Sequence, residues 1–579
     1  HAYSITKDPK LDSLMDKWIN IIAGAQGDDG YISVNMIGKK RFTNAQDHET
    51  YNMGHLMTAA CIHYRATGKT NFLEIALKTG DYLCQTFVGS NKHVIGYSSI
   101  MGAVELYRTT GDKKYLDLAN RFIDLYGSGD PEYRKNHYTD HTGTDMRQDR
   151  IPFREQREAV GHAVWGEYLY CGAADVYAET GEQAIYKALE SIWESIAFRK
   201  MDITGSVGYG AFTNKHGDTI KEGFGNDYWL PNQYNETCAN IANGMFNYRM
   251  LLLNGEEKFA DIMEKVAYNT LTSGVDLAGQ NWFYCNPLSW DGKVGHDHPL
   301  KTGERWRTTY CYCCPPNVAR NTAKIHNWFY NLSDNRALWI HLYGGNKLST
   351  ALTDGSALSM TQSTNYPWDG LVKIEMNEVD KNPVTMNFRI PEWTENPVVS
   401  INGVIITESP KPGSYLEIQR RWKIGDEIIL DFPMPVRLME ANPKATTLTN
   451  KVAVMRGPLV YCLEIPKQEG GEKIFENGVF LPENIHLTPQ YRDDFLGGVT
   501  VLKGKALSQK EKDAYVKKLS EDWDGPSELA WEENELYRPI QHKGGDSHVS
   551  GSVEVQLIPY YAWANRGLSY MDVWIPLAR

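Results

Sequence analysis

The sequence lacks several features that would place a protein in a class at once. Its 579 residues contain no apolar run of the length that a bilayer-spanning helix needs. Lys and Arg number 60 against 72 Asp and Glu, and the resulting charge of -12 argues against nucleic acid as a partner. The nine cysteines are an odd number and most stand singly, so no disulfide framework is expected. We therefore expect neither a membrane nor a nucleic acid as partner.

Aromatic residues, by contrast, are abundant. The chain has 34 Tyr and 16 Trp, and flat apolar ring faces stack on sugar rings as well as on one another. The length is sufficient for two or more domains with sizeable cores. Composition therefore favours a multidomain protein and leans toward carbohydrate as a ligand.

Residues 1–335 carry a repeated helical pattern. Four segments share a small-residue helix, a Gly turn and a second amphipathic helix, with the turns at Thr67-Gly68, Thr110-Gly111, Thr180-Gly181 and Asn254-Gly255. Gly just past the last helical residue is the expected helix stop. Repeated helical hairpins bury their apolar faces only against each other, in a ring or an open solenoid. A ring has a central cavity that suits a buried site, so we favour a helical toroid for residues 1–335.

After residue 336 the hydrophobic period changes from 3.6 to 2. Segments such as 384–390 and 427–432 read as strands. Asn402-Gly403 between two apolar runs is a strong two-residue hairpin signal. Short, evenly spaced strands predict a β-sandwich over 336–465. Residues 466–579 read as a charged, Gly-rich insertion followed by a second β region that completes the sandwich module.

The chemistry of the chain centres on two short motifs, Glu236-Thr237-Cys238 and Cys311-Tyr312-Cys313-Cys314-Pro315-Pro316-Asn317. Zinc is held by thiolates, imidazoles and carboxylates, usually four at a time, and Glu236, Cys238, Cys313 and Cys314 would make one such set. A zinc-bound thiolate stays ionised and can act as a nucleophile. The spacing alone is equally consistent with a structural zinc site that has no free position and only links two helices.

Several other residues are candidates for the same site. Glu222, just upstream of Glu236, is placed to protonate a leaving group, and Asp227 competes with it for that role. His55 and His162 each follow a Gly at the start of a repeat helix, where a helical ring has its cavity rim. Tyr284 fits either a core or a pocket.

These motifs resemble those of glycoside hydrolase family 127 and its relative, family 146, nearly from end to end. The matching segments include Gly54-His55-Leu56, Arg154-Glu155-Gln156, Gly161-His162-Ala163-Val164, Leu230-Pro231-Asn232, Glu236-Thr237-Cys238, Asn286-Pro287-Leu288, Cys313-Cys314-Pro315-Pro316-Asn317 and Arg389-Ile390-Pro391-Glu392-Trp393. The combination of Cys-Cys-Pro-Pro-Asn with Glu-Thr-Cys is highly specific.

The resemblance implies a zinc-dependent, retaining exo-hydrolase, typically a β-L-arabinofuranosidase, built from an (α/α)6 barrel and β-sandwich modules. By motif match, Cys313 would be the nucleophile on Zn2+ and Glu222 the general acid/base. The remaining zinc ligands would be Glu236, Cys238 and Cys314, and the residues lining the sugar pocket would be His55, His162 and Tyr284. Family members carry several tens of residues before the segment that matches Tyr3, so we expect this chain to begin inside the barrel.

Two departures from the family pattern bear on the substrate. Tyr97 stands where the family commonly has a His, and Arg150 stands before the Arg-Glu-Gln segment where the family commonly has a His. Arg pairs bidentately with carboxylates. Together, Tyr97 and Arg150 keep a carboxylated furanose such as aceric acid open beside arabinofuranose.

The leading hypothesis is thus an enzyme acting on plant cell-wall oligosaccharides. One rival is a carbohydrate-binding protein with a purely structural zinc, and another is a different α/α-toroid enzyme, an epimerase or a lyase. The substrate favours the periplasm of a glycan-degrading bacterium, with the cytoplasm as the alternative. Sandwich modules often supply contacts, which makes a homodimer a candidate assembly.

Overall fold

The computed structural model describes most of the chain. The described residues are 1–33, 36–43, 47–90, 92, 94–128, 144–230, 234–295, 301–307, 312–408, 410–521, 530–540 and 551–579. Cys311 and the Pro231-Asn232 pair of the sequence motifs lie outside them. The chain divides into a first unit, His1–Lys200 with Val207–Asp227, and a second unit, Met201–Ser206 with Tyr228–Arg579.

The first unit is helical. Its helices are α1 (Ala2–Thr6), α2 (Pro9–Ala25), α3 (Glu49–Thr67), α4 (Asn71–Phe87), α5 (Tyr97–Thr110), α6 (Lys113–Leu125), α7 (Ala163–Thr180) and α8 (Gln183–Arg199). Short 3-10 turns form at Asp145–Arg147 and Phe153–Glu155. A small hairpin of β1 (Phe212–Thr213) and β2 (Thr219–Ile220) follows the helices.

Glycine ends the repeat helices where the sequence predicts it. Helix α3 stops at Thr67, and Gly68 takes φ 74° while its N–H donates to the Tyr64 carbonyl. Helix α7 stops at Thr180, and Gly181 takes φ 69°. Both angles lie in the left-handed region, which glycine adopts without steric cost. The predicted helix ends are confirmed at both positions.

The second unit begins with helices and continues as β-sheets. Its helices are α9 (Thr237–Asn254), α10 (Glu257–Lys265), α11 (Cys314–Lys324), α12 (Gly471–Glu476) and α13 (Gln509–Glu521). A π-helical turn, Val266–Leu271, continues α10. Further 3-10 turns are Ile325–Trp328, Thr446–Leu448, Lys467–Glu469 and Tyr560–Ala562.

Two sheets with mostly antiparallel strand pairs follow the helices of the second unit. The six-stranded sheet contains β6 (Asn346–Ala351), β7 (Ala357–Thr364), β8 (Leu371–Val379), β10 (Val398–Ile401), β11 (Val404–Glu408) and β13 (Glu427–Asp431). The four-stranded sheet contains β4 (Tyr330–Ser333), β5 (Ala337–Ile340), β9 (Val384–Ile390) and β12 (Ser414–Arg420). Buried side chains of both sheets, among them Ile374 and Phe388, belong to one hydrophobic cluster.

An eleven-stranded sheet completes the second unit. Its strands are β3 (Ser289–Asp291), β14 (Val436–Ala441), β15 (Lys451–Arg456), β16 (Leu459–Pro466), β17 (Leu481–Pro482), β18 (Thr488–Arg492), β19 (Val499–Ala506), β20 (Tyr537–Pro539), β21 (Val553–Pro559), β22 (Ser569–Asp572) and β23 (Trp574–Ala578). Strand β3 comes from the helical part of the sequence and pairs antiparallel with β22.

The observed architecture confirms a multidomain protein with a helical N-terminal part and β-sheet C-terminal domains. The hairpin at Asn402-Gly403 is also confirmed, because β10 and β11 pair across it and both turn residues have positive φ. Closure of the helices into an (α/α)6 barrel, the β-sandwich assignment and the domain bounds 1–335, 336–465 and 466–579 stay predictions. Every helix in the described part of the chain is too short or too polar to cross a bilayer.

Candidate active site

Four side chains of the second unit that could hold a metal ion lie together. The ligand atoms of Glu236, Cys238, Cys313 and Cys314 are all within 4.8 Å of one another. The Cys314 sulfur is 3.4 Å from the Cys238 sulfur and 3.7 Å from the Cys313 sulfur. Glu236 Oε1 is 3.7 Å from Cys313 Sγ and 3.9 Å from Cys314 Sγ. The four residues predicted as metal ligands thus form one cluster.

The donor set and its spacing fit zinc. Three sulfurs and one carboxylate oxygen are ligands that zinc accepts in tetrahedral sites. With zinc–sulfur distances of about 2.3 Å, tetrahedral geometry separates neighbouring sulfurs by about 3.8 Å. The sulfur separations of 3.4 and 3.7 Å are close to that value. Both the chemistry and the size of the cluster therefore suit this ion.

Two helix N-termini hold the ligands. Helix α9 begins directly after Glu236, and Cys238 lies in its first turn. Helix α11 begins at Cys314, and the two prolines that follow occupy its first turn, where a missing N–H costs no helical hydrogen bond. The N-terminal end of a helix carries partial positive charge, which stabilises thiolates and carboxylates. Both helix N-termini therefore place partial positive charge beside the ligand residues.

The thiols of the cluster differ in acidity. Burial acts to raise the pKa of the Cys238 thiol, but hydrogen bonds with Cys313 and Cys314 outweigh burial and lower that pKa to about 6. Burial raises the pKa of the Cys314 thiol well above its usual value, and the two neighbouring thiols raise it further. Because the thiols oppose one another's ionisation, three thiolates at this spacing need a cation to balance them.

Cys313 differs from the other ligands in exposure. Glu236, Cys238 and Cys314 are buried, with at most 3% of their surface exposed, whereas Cys313 is half-buried. A thiolate must be reached by its substrate to act as a nucleophile. Cys313 is therefore the member of the cluster that a substrate reaches most readily, and the nucleophile and ligand roles of the four residues stay predictions.

The segment around Tyr284 runs beside the ligand segment. Glu236 and Cys285 form an antiparallel β-bridge. The Thr237 N–H donates to the Tyr284 carbonyl at 2.9 Å, and the Thr237 hydroxyl donates to the Phe283 carbonyl at 2.8 Å. Tyr284 is thus placed next to the metal ligands, and its predicted contact with the sugar stays a prediction.

Glu222 occupies an uncommon backbone position in the first unit. Its φ of 53° lies in the left-handed region, which is uncommon for glutamate. The Glu222 carbonyl accepts a hydrogen bond from the Ala163 N–H at 3.0 Å, and Gly223 forms a β-bridge with His162. A Cβ at Gly223 would lie 2.5 Å from the Gly161 carbonyl oxygen, so only glycine fits this approach. These contacts fix Glu222 beside the start of α7.

His162 links Glu222 to a group of aromatic rings. Its Nε2 lies 3.3 Å from Glu222 Oε2, and its ring stacks on Trp165 with a centroid separation of 4.2 Å. Tyr97 stacks on the same indole at 5.1 Å. The Nδ1 of His162 has no hydrogen-bond partner among the described residues. Stacking and the contact with Glu222 therefore set the orientation of the imidazole.

His55 lies in a neighbouring aromatic group of the first unit. It is half-buried on α3, and its ring packs edge-on against Tyr51 at 4.7 Å and against Tyr168 at 5.3 Å. Such rings offer apolar faces of the kind that stack on sugars. The sugar-binding roles predicted for His55, His162 and Tyr97 stay predictions.

Arg150 already has two carboxylate partners in its own unit. Its Nε donates to Asp145 Oδ1 at 2.7 Å, and its Nη2 donates to Asp218. Burial acts to raise the pKa of Asp145, but the bonds from Arg150 and His216 outweigh burial and lower that pKa. The charge of Arg150 is therefore balanced within the protein. Its predicted pairing with a substrate carboxylate stays a prediction.

Asp227, the competing candidate acid, lies beside two cations. Its carboxylate is 3.5 Å from Lys200 Nζ and 3.9 Å from Arg199 Nη1. The Asp227 carboxylate is thus engaged by cations, whereas the Glu222 carboxylate lies 3.3 Å from the His162 imidazole.

Sequence reasoning missed Trp165, although a signal for it was present. Trp165 follows His162 by three residues, and side chains at that spacing share one face of a helix. The stack on His162 could therefore have been expected from the Gly161-His162-Ala163-Val164 motif. Its second partner, Tyr97, is distant in the sequence and gave no such signal.

Three family models match successive parts of the chain. "Beta-L-arabinofuranosidase, GH127 catalytic domain" matches residues 1–327, and the GH127 middle domain matches residues 337–434. The glycoside hydrolase family 127 C-terminal domain matches residues 436–576.

Individual relatives match the chain over nearly its full length. A non-reducing end β-L-arabinofuranosidase of Bifidobacterium longum is 30% identical over 610 residues, which cover 99% of this chain and 86% of that protein. A family 127 β-L-arabinofuranosidase of Geobacillus stearothermophilus T6 has a crystal structure with a TM-score of 0.84 and 35% identity, covering 100% of this chain and 88% of that one. A structure described as a glycoside hydrolase has a TM-score of 0.82 and 38% identity, covering 100% and 90%.

Proposed function

Because the chain belongs to glycoside hydrolase family 127, we propose that it is a zinc-dependent, retaining exo-hydrolase that removes terminal β-L-arabinofuranose. Relatives named for this activity support the reaction and the sugar. The observation that carries the chemistry is the half-buried position of Cys313 in a cluster whose other ligands are buried.

Two groups of the chain perform the proposed first displacement. The Glu222 carboxylic acid donates its proton to the departing glycosidic oxygen. The Cys313 thiolate attacks the anomeric carbon, so that the carbon–oxygen bond breaks and a carbon–sulfur bond forms. A zinc ion held by Glu236, Cys238 and Cys314 would keep the Cys313 sulfur ionised at neutral pH.

The second displacement reverses the roles of the same groups. Glu222, now a carboxylate, takes a proton from water while the water oxygen attacks the anomeric carbon and the Cys313 thiolate leaves. Two inversions at one carbon retain its configuration. His162, with Nε2 at 3.3 Å from Glu222 Oε2, holds the carboxyl group in one orientation during both steps.

A neutral sugar fits the surroundings of Arg150 better than a carboxylated one. Asp145 and Asp218 already balance the guanidinium charge, and a substrate carboxylate would have to displace one of these carboxylates. This supports arabinofuranose over aceric acid as the sugar. A plant cell-wall origin of the glycan, a periplasmic location and a homodimeric assembly stay predictions.

Variants of the two proposed catalytic residues test the function. We expect Glu222→Gln to lower kcat/KM on neutral β-L-arabinofuranosides by about 10²–10⁴-fold, because the acid/base is lost. We expect Cys313→Ala to abolish turnover, because no thioglycoside can form. Cys171→Ala, which removes a buried thiol from α7, is the matched control and keeps its activity.

Released arabinose and the anomer first formed, followed by NMR, give the readout. Turnover by Cys313→Ala at the rate of the Cys171→Ala control would refute the nucleophile. A protein that binds the sugar without turnover would instead be a carbohydrate-binding protein with a structural metal. Hydrolysis of carboxylated furanosides alone would refute the neutral substrate.

A further inference from the structure

A buried amide helps to join the metal-ligand segment to the rest of the second unit. The Asn286 side chain donates from Nδ2 to the Asn235 carbonyl at 3.0 Å and to the Thr237 hydroxyl at 2.8 Å. Its backbone N–H donates to the Tyr234 carbonyl at 2.8 Å. Asn286 is fully buried, so water does not compete for these bonds. Both residues that flank the ligand Glu236 are thus bonded to Asn286.

The backbone at Asn235 is held by this amide. Its φ of 53° lies in the left-handed region, which asparagine adopts more readily than most residues with a side chain, and two bonds from Asn286 to the Asn235 carbonyl fix that conformation. Glu236 follows at once and forms the β-bridge with Cys285, the residue before Asn286. The direction of the Glu236 carboxylate therefore depends on segment 284–286.

The C-terminal sheet in turn holds that segment. The Tyr560 hydroxyl donates to the Asn286 carbonyl at 3.0 Å and to the Pro287 carbonyl at 3.1 Å. Three residues further on, β3 pairs with β22 of the same sheet, and the Val573 N–H donates to the Leu288 carbonyl at 2.9 Å. Residues that are more than 270 positions away in the sequence thus fix the chain beside the metal ligands.

A half-buried guanidinium adds a second connection. Arg305 donates from Nη1 to the Trp563 carbonyl at 2.8 Å and from Nη2 to the Ser273 carbonyl at 2.9 Å. The Ser273 hydroxyl donates to Asn286 Oδ1 at 2.8 Å. Turn 560–563 is therefore connected to Asn286 by two separate sets of hydrogen bonds. One set runs through the Tyr560 hydroxyl, and the other runs through Arg305 and Ser273.

We propose that Asn286 and Tyr560 are positioning residues of the metal centre, and that the turn Tyr560–Trp563 of the C-terminal sheet forms its outer support. The inference rests on the zinc site of the proposed function. Groups that orient metal ligands from outside typically change metal affinity by about 10–100-fold when they are removed. Retention of the metal is therefore the property that these two residues control.

Zinc release to a colorimetric chelator, measured on the full zinc-loaded chain, tests the proposal. We expect Tyr560→Phe to release zinc about tenfold faster than the wild type, because the hydroxyl that holds segment 286–287 is lost. The matched control is Tyr343→Phe, which removes a buried hydroxyl that donates to the Arg389 carbonyl at 2.5 Å within the β-sheets. Both variants lose one buried hydroxyl, which is shared between two carbonyls at Tyr560 and bonded to one at Tyr343. Only the Tyr560 hydroxyl contacts the segment that is bonded to the residues flanking Glu236.

Equal release rates from Tyr560→Phe and Tyr343→Phe would overturn the inference, because a general loss of stability would then explain both. Asn286→Asp gives a second measurement, since it removes both amide donors at nearly constant volume. We expect it to release zinc faster than Tyr560→Phe, and release at the wild-type rate would also overturn the inference. A wild-type chain that retains no zinc would overturn the metal centre itself and this inference with it.

Discussion

Replacement of Trp165 by Leu tests whether ring stacking controls the acid/base. Trp165 stacks on His162 at 4.2 Å and on Tyr97 at 5.1 Å, and aromatic pairs contribute about 0.5–1.5 kcal/mol each. Only the pair with His162 restrains the imidazole, so its loss removes about 1 kcal/mol of restraint. At about 1.36 kcal/mol for each factor of ten in rate, kcat/KM should fall by roughly fivefold where proton transfer to the leaving group limits the reaction.

The leaving group separates this effect from a general loss of stability. Alkyl β-L-arabinofuranosides have poor leaving groups, which need the proton from Glu222 to depart. The nitrophenolate of an aryl glycoside is a good leaving group and departs without that proton. We expect the full fall in kcat/KM on the alkyl substrate and a fall below about twofold on the aryl substrate, because kcat/KM reports the first displacement and not the second, in which Glu222 acts as base for both substrates. Trp165→Phe keeps a stacking ring and should restore most of the activity.

A buried tryptophan elsewhere in the same unit provides the control. Trp193 on α8 packs edge-on against Phe198 at 5.3 Å, so Trp193→Leu removes a comparable volume without contact to His162. We expect it to change both substrates alike. Equal falls on alkyl and aryl substrates for Trp165→Leu would refute the reasoning.

Two further predictions concern stability, and urea denaturation measures both. Arg389→Met leaves the carboxylates of Asp261 and Glu264 without their buried cation. It should lower the free energy of unfolding by about 3–5 kcal/mol, whereas Arg420→Met at a partly exposed site should cost below about 1 kcal/mol; equal costs would contradict the prediction. Burial raises the pKa of Asp572 from 3.8 to about 6, so its contribution to stability is complete below pH 3.8 and lost as the pH rises through 6. Asp572→Asn should therefore reduce the fall in the free energy of unfolding between pH 3.8 and 6 and raise that free energy at pH 8 by about 3 kcal/mol. An unchanged pH dependence of the free energy of unfolding would contradict this assignment.

The sequence predicts those parts of the fold and site that depend on local chemistry. Gly68 and Gly181 end helices because their left-handed backbone follows from the residue type alone. Asn402-Gly403 forms its hairpin for the same reason. The four clustered metal ligands could be proposed because thiolates and a carboxylate have few other reasons to be grouped.

Features that depend on distant pairings could not be predicted in this way. The sequence does not reveal which carboxylates pair with Arg150, because its partner Asp218 lies 68 residues away. Asn286 reads as a loop residue, and its partner Tyr560 comes from a β-sheet at the other end of the chain. Hydrophobic periodicity reports which face of an element is buried, and it does not report which element covers that face.

The pairing of β3 with β22 sets a limit on engineering this protein by parts. The catalytic family model ends at residue 327, yet β3 at Ser289–Asp291 is an edge strand, paired with β22, of a sheet built mainly from residues after 436. A chain cut at that border would expose an unpaired strand edge, which invites aggregation. Exchange of C-terminal modules between such enzymes will therefore succeed only when β3 is exchanged together with them.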